Sequence, residues 1–250
     1  MVGPAGRPPV FVADRASLER DVVVLSGDEG RHASTVRRLR PGERADLIDG
    51  DGMIAECVVV TARPGLLELS VLARREDPAP QPRLCVVQAI PKTDRGEQAV
   101  ELMTEVGVDV IMPWAAERCV AVWGGGAGKP ERALARWRSA AREAAKQSRR
   151  ARIPEVTAPA ETAGVLDRAA AAACVIVLDP GTSAGIGSLP LPATGEIILV
   201  VGPEGGVSPA ESAAFAAAGA VSGRLGPTVL RTSSAGAAAA AVLLSRCGRW

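Results

Sequence analysis

Apolar positions along this 250-residue chain change their spacing once. Up to residue 73 they come as short runs, at 10–13, 22–25, 45–49, 53–60 and 66–72, each bounded by turn-forming residues. Runs of that length, rich in valine, isoleucine and leucine, predict strands. Asp49-Gly50-Asp51-Gly52 falls between two of them and predicts a hairpin, because Asp-Gly adopts the positive φ angles of tight turns. Between the early and late runs, residues 29–40 predict a short helix with a basic end. Residues 74–83 carry three prolines among charged residues and predict an extended, semi-rigid linker. Beyond it strand and helix alternate. Residues 84–89 and 108–113 predict strands on either side of a helix at 96–106, whose Ala99, Leu102, Met103 and Val106 share one face. A long helix at 131–152 turns Leu134, Trp137, Ala141 and Ala144 inward; an Ala-rich helix at 161–173, a buried strand at 174–178 and a loop at 185–194 follow. The pattern therefore predicts a small β-rich domain at 1–73 and an α/β domain at 84–250.

The pattern is sharpest over 197–244. The run 197–201 has the length and β-branching of a buried strand and stops at Gly202-Pro203-Glu204-Gly205-Gly206. Ser208, Pro209 and Glu211 then form a complete helix start: a cap, a first-turn proline and the acid of a capping box. Gly219 ends that helix, 220–225 predicts a strand, and Gly226-Pro227 leads through Thr228-Val229-Leu230-Arg231-Thr232 into an Ala-rich helix at 235–244. Both glycine turns are expected at carboxyl ends of strands, where open α/β sheets bind ligands. Turns with bare backbone signal close approach to a ligand, although any α/β fold also needs tight turns. Gly202, Gly205 and Gly206 do not have the spacing of a dinucleotide fingerprint, and no lysine or magnesium-binding hydroxyl is placed for a nucleoside triphosphate. A phosphate at the helix start remains open. Backbone reading of an uncharged adenine and ribose fits better.

Charge adds a second theme. The formal net charge is only +1, so any basic surface is local. Arg31, Arg37, Arg38 and Arg40 surround His32 in a domain otherwise balanced, which suits phosphates or, equally simply, a solvated helix face. From 129 to 152 there are nine Lys/Arg against two Glu, ending in Gln147, Arg149 and Arg150, a block suited to gripping a nucleic-acid backbone. Aromatic residues make up 2% with no tyrosine, so arginine rather than base stacking must carry any RNA recognition. The chain lacks an apolar run long enough to span a membrane and a signal-peptide start. Five scattered cysteines without a C-x-x-C pair imply reduced thiols in the cytoplasm, and with a single histidine no metal site is expected. The stretch 123–130 imitates a phosphate-binding loop but has Trp123 where glycine is required and Pro130 after Lys129, so it predicts a flexible surface loop.

G-P-E-G-G followed by L-G-P-x-V-L-R-T resembles the C-terminal signature of the SPOUT methyltransferases. More narrowly it is similar to the RsmE family, which methylates N3 of a uridine in small-subunit ribosomal RNA. Further matches are H-x-x-x-V-x-R-L-R-x-G-E from His32, P-K-x-D-R-x-E with T-E-V-G-V from Pro91, E-R-C from Glu117 and Q-x-x-R from Gln147. Ser233-Ser234 departs from a stretch that is often more acidic or threonine-rich, leaving fine substrate contacts open. The resemblance implies an N-terminal PUA-like β-barrel, the linker, and a SPOUT α/β domain with a deep trefoil knot that forms homodimers. It implies S-adenosylmethionine as cofactor and ribosomal RNA, naked or in the small subunit, as partner. The cofactor would lie on Leu178, on Val201, Gly202, Pro203, Gly205 and Gly206 of the first turn, on Leu225, Gly226, Thr228, Val229 and Leu230 of the second, and on Thr232, Ser233 and Ala235 at the last helix start. Arg231 would stabilise negative charge on the uracil oxygens, and Glu204 would be either the base or a structural carboxylate. The two basic stretches, together with Lys92 and Arg95 on the turn that also carries Asp94 and Arg118 on another, would hold RNA. Two other readings fit the residues: methylation of a ribose hydroxyl or of transfer RNA, and a non-catalytic RNA-binding module.

Overall fold

The computed structural model describes residues 7–92, 95–120, 123 and 128–250. Asp94, and positions 124–127 of the glycine-rich loop, lie outside the described residues. The chain divides into two compact units, Met1–Ala79 with Ala145–Ile153, and Pro80–Ala144 with Pro154–Trp250.

The first unit holds β1 (Val10–Val12), α1 (Arg15–Leu18), β2 (Val22–Leu25), α2 (Gly27–Arg31), a π turn at His32–Val36, β3 (Arg44–Ile48), β4 (Met53–Arg63) and β5 (Leu66–Glu76). The strands form one sheet in the order β1-β3-β4-β5-β2, antiparallel except for β1 beside β3. The Asp49 hairpin forms as expected, and its Oδ1 accepts the backbone N–H of Asp51 at 2.7 Å and of Met53 at 3.0 Å. Phe11, Leu18, Val23, Leu25, Leu47, Leu67 and Leu69 fill the core on one face of this sheet. Two findings differ from the pattern. β5 keeps its ladder with β4 as far as Glu76 opposite Met53, which takes the first part of the expected linker into the sheet. The expected helix at 131–152 stops at Ser148 because Arg149 turns to φ 61. The chain after it joins the first unit, where Ala151 packs with Val10, Ile48 and Ile54 and Ile153 donates its N–H to Gly50 O.

The second unit comprises β6 (Arg83–Ala89), α3 (Arg95–Val106), β7 (Val110–Trp114), most of α4 (Lys129–Ser148), β8 (Glu155–Val156), α5 (Thr162–Ala169), β9 (Cys174–Leu178), β10 (Glu196–Val201), α6 (Pro209–Ala217), β11 (Val221–Gly223) and α7 (Thr232–Arg246). Its sheet runs β11-β9-β10-β6-β7-β8 with every pairing parallel. A parallel sheet covered on both faces needs strands apolar on both sides, and β6, β7 and β10 are buried almost throughout. Trp114 and Phe215 meet edge to face at 5.6 Å in its core. Gly236 lets α7 lie against β6: a Cβ there would come within 3.0 Å of Gln88 Oε1 and Met103 Sδ. Near the end of the chain the Arg249 guanidinium grips both oxygens of Asp109, at 2.7 and 2.9 Å. The helix predicted at 235–244 begins earlier, at Thr232, so Thr232 and Ser233 form its first turn rather than a loop. The helix expected at 161–173 is shorter, at Thr162–Ala169, and the strand at 220–225 shrinks to three residues. All five cysteines are free thiols. Among the described residues no helix is long and apolar enough to cross a membrane.

Candidate functional site

In a parallel sheet every carboxyl end lies on one edge, so the turns after β9, β10 and β11 open to the same side. They wall a cavity of about 700 Å³, within the range of roughly 300–1,000 Å³ typical of small-molecule sites. Val201, Gly202, Pro203, Glu204 and Gly206 line it from the first glycine turn. Leu225, Gly226, Thr228, Val229, Leu230 and Arg231 line it from the second, Thr232 and Ala235 from the start of α7, and Leu178 from β9. Gly205 and Ser233 do not. The Gly205 carbonyl instead accepts a hydrogen bond from Arg118 Nη1 at 3.2 Å, and Ser233 is buried in the first turn of α7. Arg118 joins the lining by that contact. Asp179 and Arg224 also line the cavity. Arg224 follows an inconspicuous three-residue strand and nothing local in the sequence marks it.

Local chemistry explains why these turns hold their shape. The capping box forms in full: Ser208 Oγ accepts the Glu211 N–H, and Glu211 Oε2 accepts the Ser208 N–H at 3.0 Å. Gly206 sits at φ 72, a conformation costly for residues with a Cβ. Gly202 is confined differently, since a Cβ there would come within 2.9 Å of Val207 Cγ2. Thr232 Oγ1 donates to Gly202 O at 3.2 Å and so ties the two turns together. Behind them Gln88, fully buried near the end of β6, donates Nε2 to Ala89 O at 3.1 Å and Thr232 O at 3.3 Å. Its Oε1 has no hydrogen-bond partner among the described residues. Gln88 carries no signal in the chain itself, because one polar residue between Val87 and Ala89 still reads as part of a strand.

Glu211 reaches beyond its own helix. Its Oε1 also accepts the Glu117 N–H at 2.8 Å and the Thr162 hydroxyl at 2.9 Å, and Trp114 Nε1 donates to that hydroxyl at 3.2 Å. Burial alone would raise this carboxyl, but the hydrogen bonds from Glu117, Ser208 and Thr162 together hold it below its ordinary value. The result anchors the loop that carries Arg118. Glu204 is exposed, and its Oε1 lies 3.4 Å from the Lys92 N–H. Arg231 precedes α7 as its N-cap residue, with no capping hydrogen bond from its side chain, and is exposed on the cavity wall. A wall of backbone groups with three permanent cations, Arg118, Arg224 and Arg231, can hold an uncharged ring and ribose and stabilise developing negative charge beside them.

The other basic residues separate. Of the three expected to hold RNA near the turns, Arg118 lines the cavity, while Lys92 and Arg95 are exposed outside it. His32, Arg37, Gln147 and Arg149 meet in a small cleft of the first unit. Arg31 ion-pairs with Asp28, Arg38 takes φ 55 and Arg40 is exposed, none of them on that cleft. Arg150 also lies off it.

Known proteins share this architecture. A family model described as an RNA methyltransferase domain matches residues 77–244, and one described as an RNA methyltransferase PUA domain matches 25–72. A ribosomal RNA small subunit methyltransferase E from Mycobacterium tuberculosis is 48% identical over 245 residues, spanning 96% of this chain and 93% of the relative. The crystal structure of a ribosomal RNA small subunit methyltransferase E from Neisseria gonorrhoeae, bound to S-adenosyl methionine, is similar with a TM-score of 0.85 at 26% identity, covering 96% of this chain and 98% of that one. A methyltransferase from Legionella pneumophila in complex with the same cofactor gives a TM-score of 0.86 at 26% identity over the same shares.

Proposed function

This chain belongs to the RNA methyltransferase family, and from that premise we propose that it methylates N3 of a uridine in small-subunit ribosomal RNA with S-adenosylmethionine as donor. The observation that carries the reading is the 700 Å³ cavity walled by the backbone of two glycine turns, with Arg231 on its wall. The residues present fit the donor: backbone groups of the turns would hold an uncharged adenine and ribose, and the Asp179 and Glu204 carboxylates, which line the same cavity, would be counter-charges for a sulfonium. When bound, S-adenosylmethionine supplies an electrophilic methyl group. The chain does the rest. Arg231 stabilises negative charge on the uracil oxygens as N3 loses its proton, and Glu204 is the carboxylate at hand to accept that proton. A paired uridine must first be turned out of its stack. Arg118, on the wall, and Arg95, outside it, meet the extruded nucleotide. Lys92, Arg31, Arg38, Arg40 and Arg150 contact the flanking backbone.

The same reading includes the deep knot and the PUA-like barrel. In support of the knot, α7 packs against α3 and β6 while Thr232 stays bonded to the turn after β10. It includes a homodimer, supported by the small side chains of α7 and by Val229 and Leu230 exposed near its start. Five free thiols accord with work in the cytoplasm.

The test is methyl transfer from labelled S-adenosylmethionine to small ribosomal subunits that lack the modification, with mass spectrometry of the nucleosides and calorimetry of cofactor binding. N3-methyluridine is the expected product. A ribose-methylated product, or transfer RNA as the methylated substrate, would reassign the target. Absence of cofactor binding would overturn the enzyme reading.

A further inference from the structure

The first unit contains a cleft that the methyl-transfer site does not use. It has a volume of about 50 Å³, far below the roughly 300 Å³ at which small-molecule pockets begin, so no base or nucleoside fits it. Its polar lining comes from two distant stretches: His32 and Arg37 around the π turn, and Lys146, Gln147 and Arg149 at the end of α4. No carboxylate lines it among the described residues. Lys146, with a side chain only 3% exposed, forms the floor and is matched by Glu29 Oε1 at 3.2 Å. Arg37 and Arg149 form no ion pair among the described residues. Asp46, part-buried on β3, feels the charge of Arg149. Phe11 closes one side and meets the His32 ring edge to face at 5.7 Å, which fixes the imidazole plane.

The backbone points the same way. Arg149 ends α4 at φ 61, a position where helices commonly place glycine because a Cβ is unfavourable there. An arginine in that place carries its guanidinium to the cleft at a conformational cost. The opposing residues ride on a π turn, a widened helical geometry frequent at functional sites. A cation at a helix C-terminus also favours the helix dipole, and that is the competing explanation.

We propose that this cleft seats a single phosphodiester of the RNA substrate, gripped by Arg37 and Arg149 with the Gln147 amide beside them. The proposal rests on the RNA-methyltransferase reading above. It makes one anchor of two basic stretches that look independent in the sequence.

Because glycine prefers φ 61, Arg149→Gly removes the guanidinium without disturbing the backbone, and its melting temperature should equal or exceed that of the wild type. Its KM for small ribosomal subunits should rise about ten-fold and its kcat fall less than two-fold, with the salt slope of RNA binding reduced by about one. Arg37→Gln should behave alike. The double variant should also lose only about one unit of slope, because both side chains hold the same phosphate. An Arg149→Gly protein of higher stability with unchanged KM and slope would make Arg149 a helix-end cation only. A double variant losing about two units would show two separate backbone contacts. Inorganic phosphate binding that Arg149→Gly abolishes, with KM for RNA unchanged, would make this a free-anion site. Each of those three results overturns the proposal while leaving cofactor binding and methyl transfer intact. Loss of either in the wild type would strike the functional reading instead.

Discussion

The cavity of the second unit and the cleft of the first recognise their ligands by opposite means. The cavity is walled largely by backbone and small side chains on consecutive glycine and proline turns, and its shape comes from hydrogen bonds between those turns. The cleft is walled by long cationic side chains on a turn and a helix end. Recognition by shape is nearly indifferent to ionic strength, whereas recognition of phosphate by charge is governed by it. One protein thus separates the binding of a small donor from the binding of a polyanion.

The widest separation should come from Arg231→Ala, which removes one of the three arginines lining the cavity and leaves the turns in place. Single-turnover transfer should fall by about 10²–10³-fold, with cofactor affinity by calorimetry within a few-fold of wild type. Turnover at the wild-type rate would take Arg231 out of the chemistry. Gly202→Val attacks shape instead. The new side chain would run into Val207, whose Cγ2 lies only 2.9 Å from the place its Cβ would take, and overpacking of that kind costs about 1–3 kcal/mol. Cofactor affinity should drop about ten-fold, with the salt slope of RNA binding unaltered.

Glu211→Gln probes the frame around the cavity. The carboxyl is held below its ordinary 4.5, so its stabilisation is complete above that value and fades as pH falls through the folded value. The variant should lose about 1–3 kcal/mol at neutral pH, since hydrogen bonds to a charged acceptor weaken. Its melting temperature should then decline less than that of the wild type on acidification below 4.5. An identical acid limb in both proteins would contradict this role. Gln88→Leu should have the smallest effect. It removes the donor to Thr232 O together with an acceptor that has no partner among the described residues, so stability should change by less than about 1 kcal/mol. The kcat should nevertheless fall a few-fold as the start of α7 loosens beneath Arg231.

Features written between near neighbours were readable from the chain alone. Ser208, Pro209 and Glu211 specify a capped helix because cap and partner lie three residues apart. Asp49-Gly50 specifies its hairpin, and the apolar run of β10 specifies a buried parallel strand, for the same reason of locality. Even there the reach of Glu211 to Glu117 and Thr162 was invisible, because both partners come from other loops. So was the end of α4: residues 149–152 continue a basic helical pattern, but Ala151 and Ile153 find more burial and a strand-like bond in the first unit.

By itself, then, the amino-acid sequence determined the order of the longer strands and helices, the two glycine turns and the local blocks of positive charge, all of which depend on residues a few positions apart. Only the tertiary structure decided that three turns share one cavity, that Gln88 braces α7, and that Arg37 and Arg149 face one cleft. Those pairings follow from sheet order and burial, which sum weak contributions over the whole chain and leave no mark at any single position.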